Sequence, residues 1–133
     1  MAIQRHPKGS VFEEQIGYAR LVTAGPFVFV SGTTGYNYDT MEISEDVVAQ
    51  ARQCIKNIRA ALHSVDADLS DAVRVNYYLR HTEEFESCWP VLSEAFGAHP
   101  PAATMIEANM ATPEMLIEIE LTAMRGNLAQ TDA

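Results

Sequence analysis

A chain of 133 residues has the length for one domain with a real hydrophobic core, and its net charge of −9 and pI near 4.7 leave no basic stripe for nucleic-acid phosphates. No apolar run approaches the roughly 20 residues of a membrane span, and the opening MAIQRHPKGS lacks the apolar core of a secretory signal. Cys54 and Cys88 form no CxxC and read as reduced packing residues, so a soluble cytoplasmic protein is the expectation.

Pro7, Lys8, Gly9 and Ser10 keep any strand before them short. Residues 18–23 and 27–31 read as two strands joined by a turn at Ala24-Gly25-Pro26. Phe27, Val28, Phe29 and Val30 are apolar on both faces, so that strand needs cover on both sides. From Gly32 to Ile43 the chain reads as a loop. It has no GxxxxGK[ST] phosphate cradle, and Ser31 stands outside any GxSxG elbow. Residues 44–63 form the clearest helix, with Ser44 as cap and Glu45 and Asp46 in the first turn. Val47, Val48, Ala51, Cys54, Ile55, Ile58 and Leu62 make its apolar stripe. Gln50, Arg52, Gln53, Lys56, Asn57 and Arg59 fall outside the stripe and read as a solvated face.

Residues 71–80 alternate as a strand, with Val73, Val75, Tyr77 and Leu79 on one face and Arg74, Asn76, Tyr78 and Arg80 on the other. A second helix follows, with Thr82 as cap and Phe85, Cys88, Trp89, Leu92, Ala95 and Phe96 as its apolar set. Pro90 requires that helix either to begin near Ser87 or to kink, and Gly97 ends it. Two more strand-like runs, 103–108 and 116–124, are joined by a turn at Thr112-Pro113-Glu114. In the last run Ile117, Ile119, Leu121 and Ala123 alternate with Glu118, Glu120, Thr122 and Met124. Two carboxylates thus share a face in surroundings too apolar for an open sheet. That polar row marks a ligand site.

The order β-β-α-β-α-β-β, with a further N-terminal strand, gives a single α+β domain over residues 1–133. Two helices cover one face of a mainly antiparallel sheet and leave the other to a partner subunit. His6, His63, His81 and His99 are scattered without metal spacing, so no metal site is expected.

Several landmarks stand in a telling order: Gly17-Tyr18, FVFVSG at 27–32, AQARQCIKNIRAAL at 49–62, VRVNYYL at 73–79, the Phe85 helix, the Pro100-Pro101-Ala102 entry and IEIE at 117–120. In that order and spacing the chain, from about residue 17 to 125, resembles the RidA family, also called the YjgF or endoribonuclease L-PSP family. The resemblance implies a chorismate-mutase-like fold in a homotrimer whose sheets form a central barrel. It implies small-molecule clefts at the subunit interfaces, and no cofactor is expected. Members hydrolyse reactive enamines and imines such as 2-aminoacrylate to a keto acid and ammonia. The family's site tyrosine matches Tyr18, its serine–glycine pair Ser31-Gly32, and the glutamate that holds the attacking water Glu118.

The family's carboxylate-clamping arginine falls at Ala103, in Pro101-Ala102-Ala103-Thr104, and an asparagine of the second helix falls at Trp89. No neutral side chain replaces a planar, bidentate guanidinium. One reading is an enzyme with altered substrate choice, acting on an enamine, imine or related electrophile that need not carry an α-carboxylate. The alternative is a non-catalytic ligand-binding or interaction trimer. A ribonuclease reading ranks third, because the charge opposes it. Ala103, Thr104, Trp89 and Glu107 are candidate substrate contacts. Arg20, two residues from Tyr18 and so on the same strand face, can offer the cleft a guanidinium or pair with Glu107 or Glu120.

Overall fold

The computed structural model describes residues 2–7 and 11–126. Lys8, Gly9 and Ser10, where the break after the first strand is expected, lie outside the described residues. In chain order the elements are β1 (Ile3–His6), α1 (Val11–Ile16), β2 (Leu21–Ala24), β3 (Phe27–Thr34), β4 (Tyr36–Asn37), β5 (Glu42–Ile43), α2 (Val47–His63), β6 (Ala72–Leu79), α3 (Phe85–Phe96), β7 (Ala102–Glu107) and β8 (Ile117–Met124). Six strands pair in the order β1-β2-β3-β8-β6-β7, and β4–β5 is a small separate hairpin. Only β6–β7 is parallel, as a β-α-β crossover through α3 demands. Consecutive β7 and β8 therefore do not pair; β6 lies between them.

Alternation along β8 decides the layers. Ile117, Ile119, Leu121 and Ala123 are buried with Val28, Val30, Val75 and Leu79, and Ala51, Cys54, Ile58 and Leu62 of α2 and Cys88, Leu92 and Phe96 of α3 belong to the same core. This is the α+β architecture that the sequence leads one to expect. On the opposite face Phe27 and Phe29 stand 38% and 46% exposed with ring centroids 6.4 Å apart. They pair in register with Met124 and Thr122.

Several local expectations change. The cap of α2 is Asp46, whose carboxylate accepts from the Ala49 N–H at 2.9 Å; Ser44 Oγ instead accepts from the Asp46 N–H at 3.1 Å. The helix starts at Val47, so its third N–H belongs to Ala49 and only position 46 can reach it. Gln50 is not solvated but fully buried. It donates to the carbonyls of Ser44 and Glu114 at 2.7 and 2.8 Å and accepts from the Leu116 N–H at 2.9 Å. Asn57 likewise turns inward, donating to the carbonyls of Thr34 and Tyr36 at 3.2 and 2.8 Å. A 3-10 turn at Thr82–Glu84 leads into α3, which begins at Phe85 and so encloses Pro90. Trp89 is 52% exposed, outside the apolar set assigned to it.

Two bulges break the strict period of two. The β6–β8 ladder shifts between Ala72 and Arg74, so Val73 turns out to 45% exposure while Ala72 and Val75 are buried. The β3–β8 ladder shifts between Val30 and Thr33, at Ser31-Gly32.

Candidate functional site

A bulge gives one strand an extra residue and re-aims the backbone beside it. Here the buried row runs Val28, Val30, Thr33, and the Ser31-Gly32 pair is turned to a cleft. Arg20 holds this shape from behind. Its Nη2 donates to the carbonyls of Ser31 and Gly32 at 2.8 and 2.9 Å and to Thr33 Oγ1 at 2.9 Å, while Nη1 reaches the Tyr38 hydroxyl at 3.4 Å. Ser31 Oγ donates to the Ala19 carbonyl at 2.6 Å, so its proton is already engaged. Ser31 is therefore a poor nucleophile in this arrangement.

Glu118 projects from β8 between Thr34 on β3 and Tyr78 on β6, its partners in register. Its carboxylate lies against the Cα of Gly32, and a Cβ there would overlap it. Burial raises its pKa above the usual carboxylate range; Glu120 adds to the rise and the Arg20 charge opposes it. Burial, then Glu13, also push the Tyr18 phenol upward, which keeps it a proton donor at neutral pH. Tyr18, Ser31, Gly32 and Glu118 line one cleft of about 370 Å3, walled by Phe12, Ile16, Tyr38 and Met115. A half-buried base, a phenol donor and an apolar wall can position a water against a small electrophile.

The sequence profile of the endoribonuclease L-PSP family matches residues 10–125. The chain belongs to this family. A RutC family protein of Pyrococcus abyssi is 34% identical over 109 residues, covering 81% of this chain and 86% of the relative. The 2-iminobutanoate/2-iminopropanoate deaminase of Escherichia coli is 28% identical over 111 residues, covering 81% and 87%. A solved YjgF-family structure from Mycobacterium tuberculosis matches with a TM-score of 0.84 at 34% identity, over 93% of this chain and all of the other.

Within a single L-PSP-family chain the other candidate residues lie apart from this cleft. Arg20 is 6% exposed and sits behind the bulge, so it neither faces a ligand beside Tyr18 nor pairs with Glu107 or Glu120. The reason is local: Tyr18 to Arg20 is not yet regular strand, and β2 begins only at Leu21. Ala103 and Trp89 line a separate apolar groove of about 330 Å3 with Tyr77 and Phe85. Ala103 pairs with buried Val75 and so faces the helical side, whereas Glu118 faces the opposite side. Thr104 Oγ1 accepts from Arg74 Nη2 at 2.8 Å, and Glu107 accepts from the Thr82 N–H at 3.1 Å. Glu120 accepts from the Tyr78 hydroxyl and from Asn76 Nδ2 at 3.2 Å.

Sequence reading missed Phe12, Ile16, Thr34, Tyr38 and Met115 as cleft residues. Phe12 and Ile16 stand four apart, a helical spacing that could have been caught. Tyr38 carried no such signal; its hydroxyl is fixed by the Thr34 N–H at 3.2 Å. Among the described residues no helix is long and apolar enough to cross a membrane, and no group of three His, Cys, Asp or Glu could hold a metal.

Proposed function

We propose that this L-PSP-family protein hydrolyses a small imine or enamine in the cleft, with Glu118 holding and deprotonating the attacking water. The observation that carries the reading is the Glu118 carboxylate, partly buried with a raised pKa and seated on Gly32 inside the cleft. Water adds to the C=N carbon as Glu118 takes its proton. The same proton then passes to nitrogen to give the carbinolamine, and the C–N bond breaks as the hydroxyl proton follows to nitrogen, leaving a carbonyl compound and ammonia. A carboxyl group with a raised pKa suits both directions of that transfer. Similarity to the Escherichia coli 2-iminobutanoate/2-iminopropanoate deaminase supports the reaction class.

The working unit in this proposal is a homotrimer with clefts completed at subunit interfaces. Exposed Phe27 and Phe29 on one face and the open groove at Trp89 and Ala103 support it, since a monomer would leave both wet. Cys54 and Cys88 are free and buried, which suits the reducing cytoplasm.

Steady-state ammonia release from a panel of imines tests the activity. The wild-type protein should accelerate release, and Glu118→Ala should abolish the acceleration while the assembly stays intact. Ligand binding without release from any imine would favour a non-catalytic ligand-binding trimer, the reading that Ala103 and Trp89 support in place of the family's arginine and asparagine.

A further inference from the structure

We infer that a second small-molecule site lies behind the Ser31-Gly32 bulge and takes a short-chain carboxylate. A cavity of about 250 Å3 is set there between the flank of α2 and the β1–β2 end of the sheet. His6, Arg20, Leu21, Tyr38, Ala60 and Ala61 form most of its wall. Among the described residues it shares Tyr38 alone with the Glu118 cleft. His6 pairs in register with Leu21, a core residue, so both side chains face the helical side of the sheet. The site therefore stands on the side away from the sheet face assigned to partner subunits.

Two polar atoms of this wall are buried without a hydrogen-bond partner, Arg20 Nε and His6 Nε2. Buried nitrogens in folded proteins are nearly always paired, so an acceptor belongs here. Arg20 makes the stronger demand. It is 6% exposed, and Nη1 and Nη2 are engaged by Tyr38, Thr33 Oγ1 and the bulge carbonyls, which leaves Nε as the spare donor. Those acceptors are all neutral. Among the described residues no carboxylate lies within ion-pair distance of the guanidinium; the ion pair found there is His63–Asp68. A buried cation gains most from an anion that also accepts its remaining N–H. A carboxylate can accept from Arg20 Nε and from His6 Nε2 whenever that nitrogen carries a proton. Leu21, Ala60, Ala61 and the Tyr38 ring, 5.7 Å from Arg20 Cζ, offer an alkyl chain apolar contact. Asn57 and Ser64 complete the wall, their donors already spent on backbone carbonyls. The volume falls below that of sites for drug-sized ligands, so the occupant is small. Arg20 also links the cavity to the cleft. Its Nη2 holds the Ser31 and Gly32 carbonyls, so a ligand on Nε braces the bulge against which Glu118 is seated.

Butanoate is the probe, with acetate and butan-1-ol as controls that lack the longer chain and the charge. Calorimetry, thermal melts and NMR signals of the Arg20 Nε–H and the His6 ring are recorded on the full-length protein. Butanoate should bind, raise the melting temperature and move both signals. Acetate should bind about tenfold more weakly. Ala60→Phe sets a ring into the cavity from an exposed helix position and should weaken butanoate at least about tenfold. His6→Phe removes one donor at similar size, should weaken butanoate about tenfold, and serves as the test if Ala60→Phe does not fold. Signals that stay still at saturating butanoate would show that water fills the cavity, and would overturn the inference. Butanoate affinity unchanged by these substitutions would place the ligand elsewhere and overturn it too. Butan-1-ol binding as tightly as butanoate, or acetate as tightly as butanoate, would overturn the charged or the apolar half of the recognition.

Discussion

The Glu118 carboxylate occupies the space where a side chain at Gly32 would begin: a Cβ built there would overlap Oε2 and stand 3.0 Å from Cδ. Gly32 lies outside the left-handed region of backbone space, so volume and not conformation excludes a side chain. The obstructed group is the end of a flexible side chain, and it can swing away without unfolding the sheet. Gly32→Ala should therefore melt within a few degrees of wild type while kcat/KM for imine hydrolysis falls about 100-fold. A melting temperature that falls as far as for a core substitution would show that Gly32 supports the sheet and not the carboxylate.

Glu118 also sets a pH signature. Its folded pKa is raised above the ordinary 4.5, chiefly by burial. A carboxyl group raised in this way stabilises the fold fully below its unfolded pKa, and that contribution is lost as pH rises through the folded value. Glu118→Gln should accordingly raise the melting temperature at neutral pH, with the gap closing below about pH 4.5. In the wild type, kcat/KM should climb with pH through the raised pKa, because the base must be ionised to take the water proton. Thermal melts and rate profiles across pH 3.5 to 8, as an approximate range, would check both limbs.

Arg20 is expected to act on the site through the bulge. Arg20→Met leaves the carbonyls of Ser31 and Gly32 without this donor and should cost about 3 kcal/mol in denaturant unfolding. Because the Arg20 charge opposes the rise at Glu118, its removal should also move the Glu118 titration further up, as read by carboxyl carbon NMR. Arg20→Lys should restore most of the titration and only part of the stability. Lost stability with the titration unmoved would leave Arg20 a purely structural residue.

The bare sheet face is expected to hold the subunits together. Phe27→Asp with Phe29→Asp places charge where two partly exposed rings now sit side by side. Burying each ring contributes about 1.5–3 kcal/mol, so the double variant should dissociate to monomer at micromolar concentration in light scattering. An unchanged mass would move the interface to another surface.

The sheet was legible because β8 keeps its period: Ile117, Ile119, Leu121 and Ala123 are all buried, and Glu118, Glu120, Thr122 and Met124 are only partly so. The two bulges were not. An added residue at Ser31-Gly32 or Val73 leaves the composition of the strand unchanged and shows only in pairing. Gln50 was hidden for another reason. Polarity on a helix reads as exposure, yet its amide is the bridge that joins α2 to the backbone before β8. Tyr18, Ser31, Gly32 and Glu118 could be gathered from the sequence through their resemblance to family positions, whereas Tyr38 comes from a hairpin whose direction no local pattern sets.

The strand order carries a consequence for synthesis. β8 follows every other strand in the chain, yet it lies between β3 and β6. A nascent chain that has emerged only as far as β7 holds two separate pieces, β1-β2-β3 and β6-β7, with no ladder joining them. The bulge at Ser31-Gly32, the seat of Glu118 and both long antiparallel ladders to β8 all wait for residues 117–124 to clear the ribosome. Completion of the sheet thus waits for β8, and until it is in place the inner edges of β3 and β6 remain open to any other strand nearby.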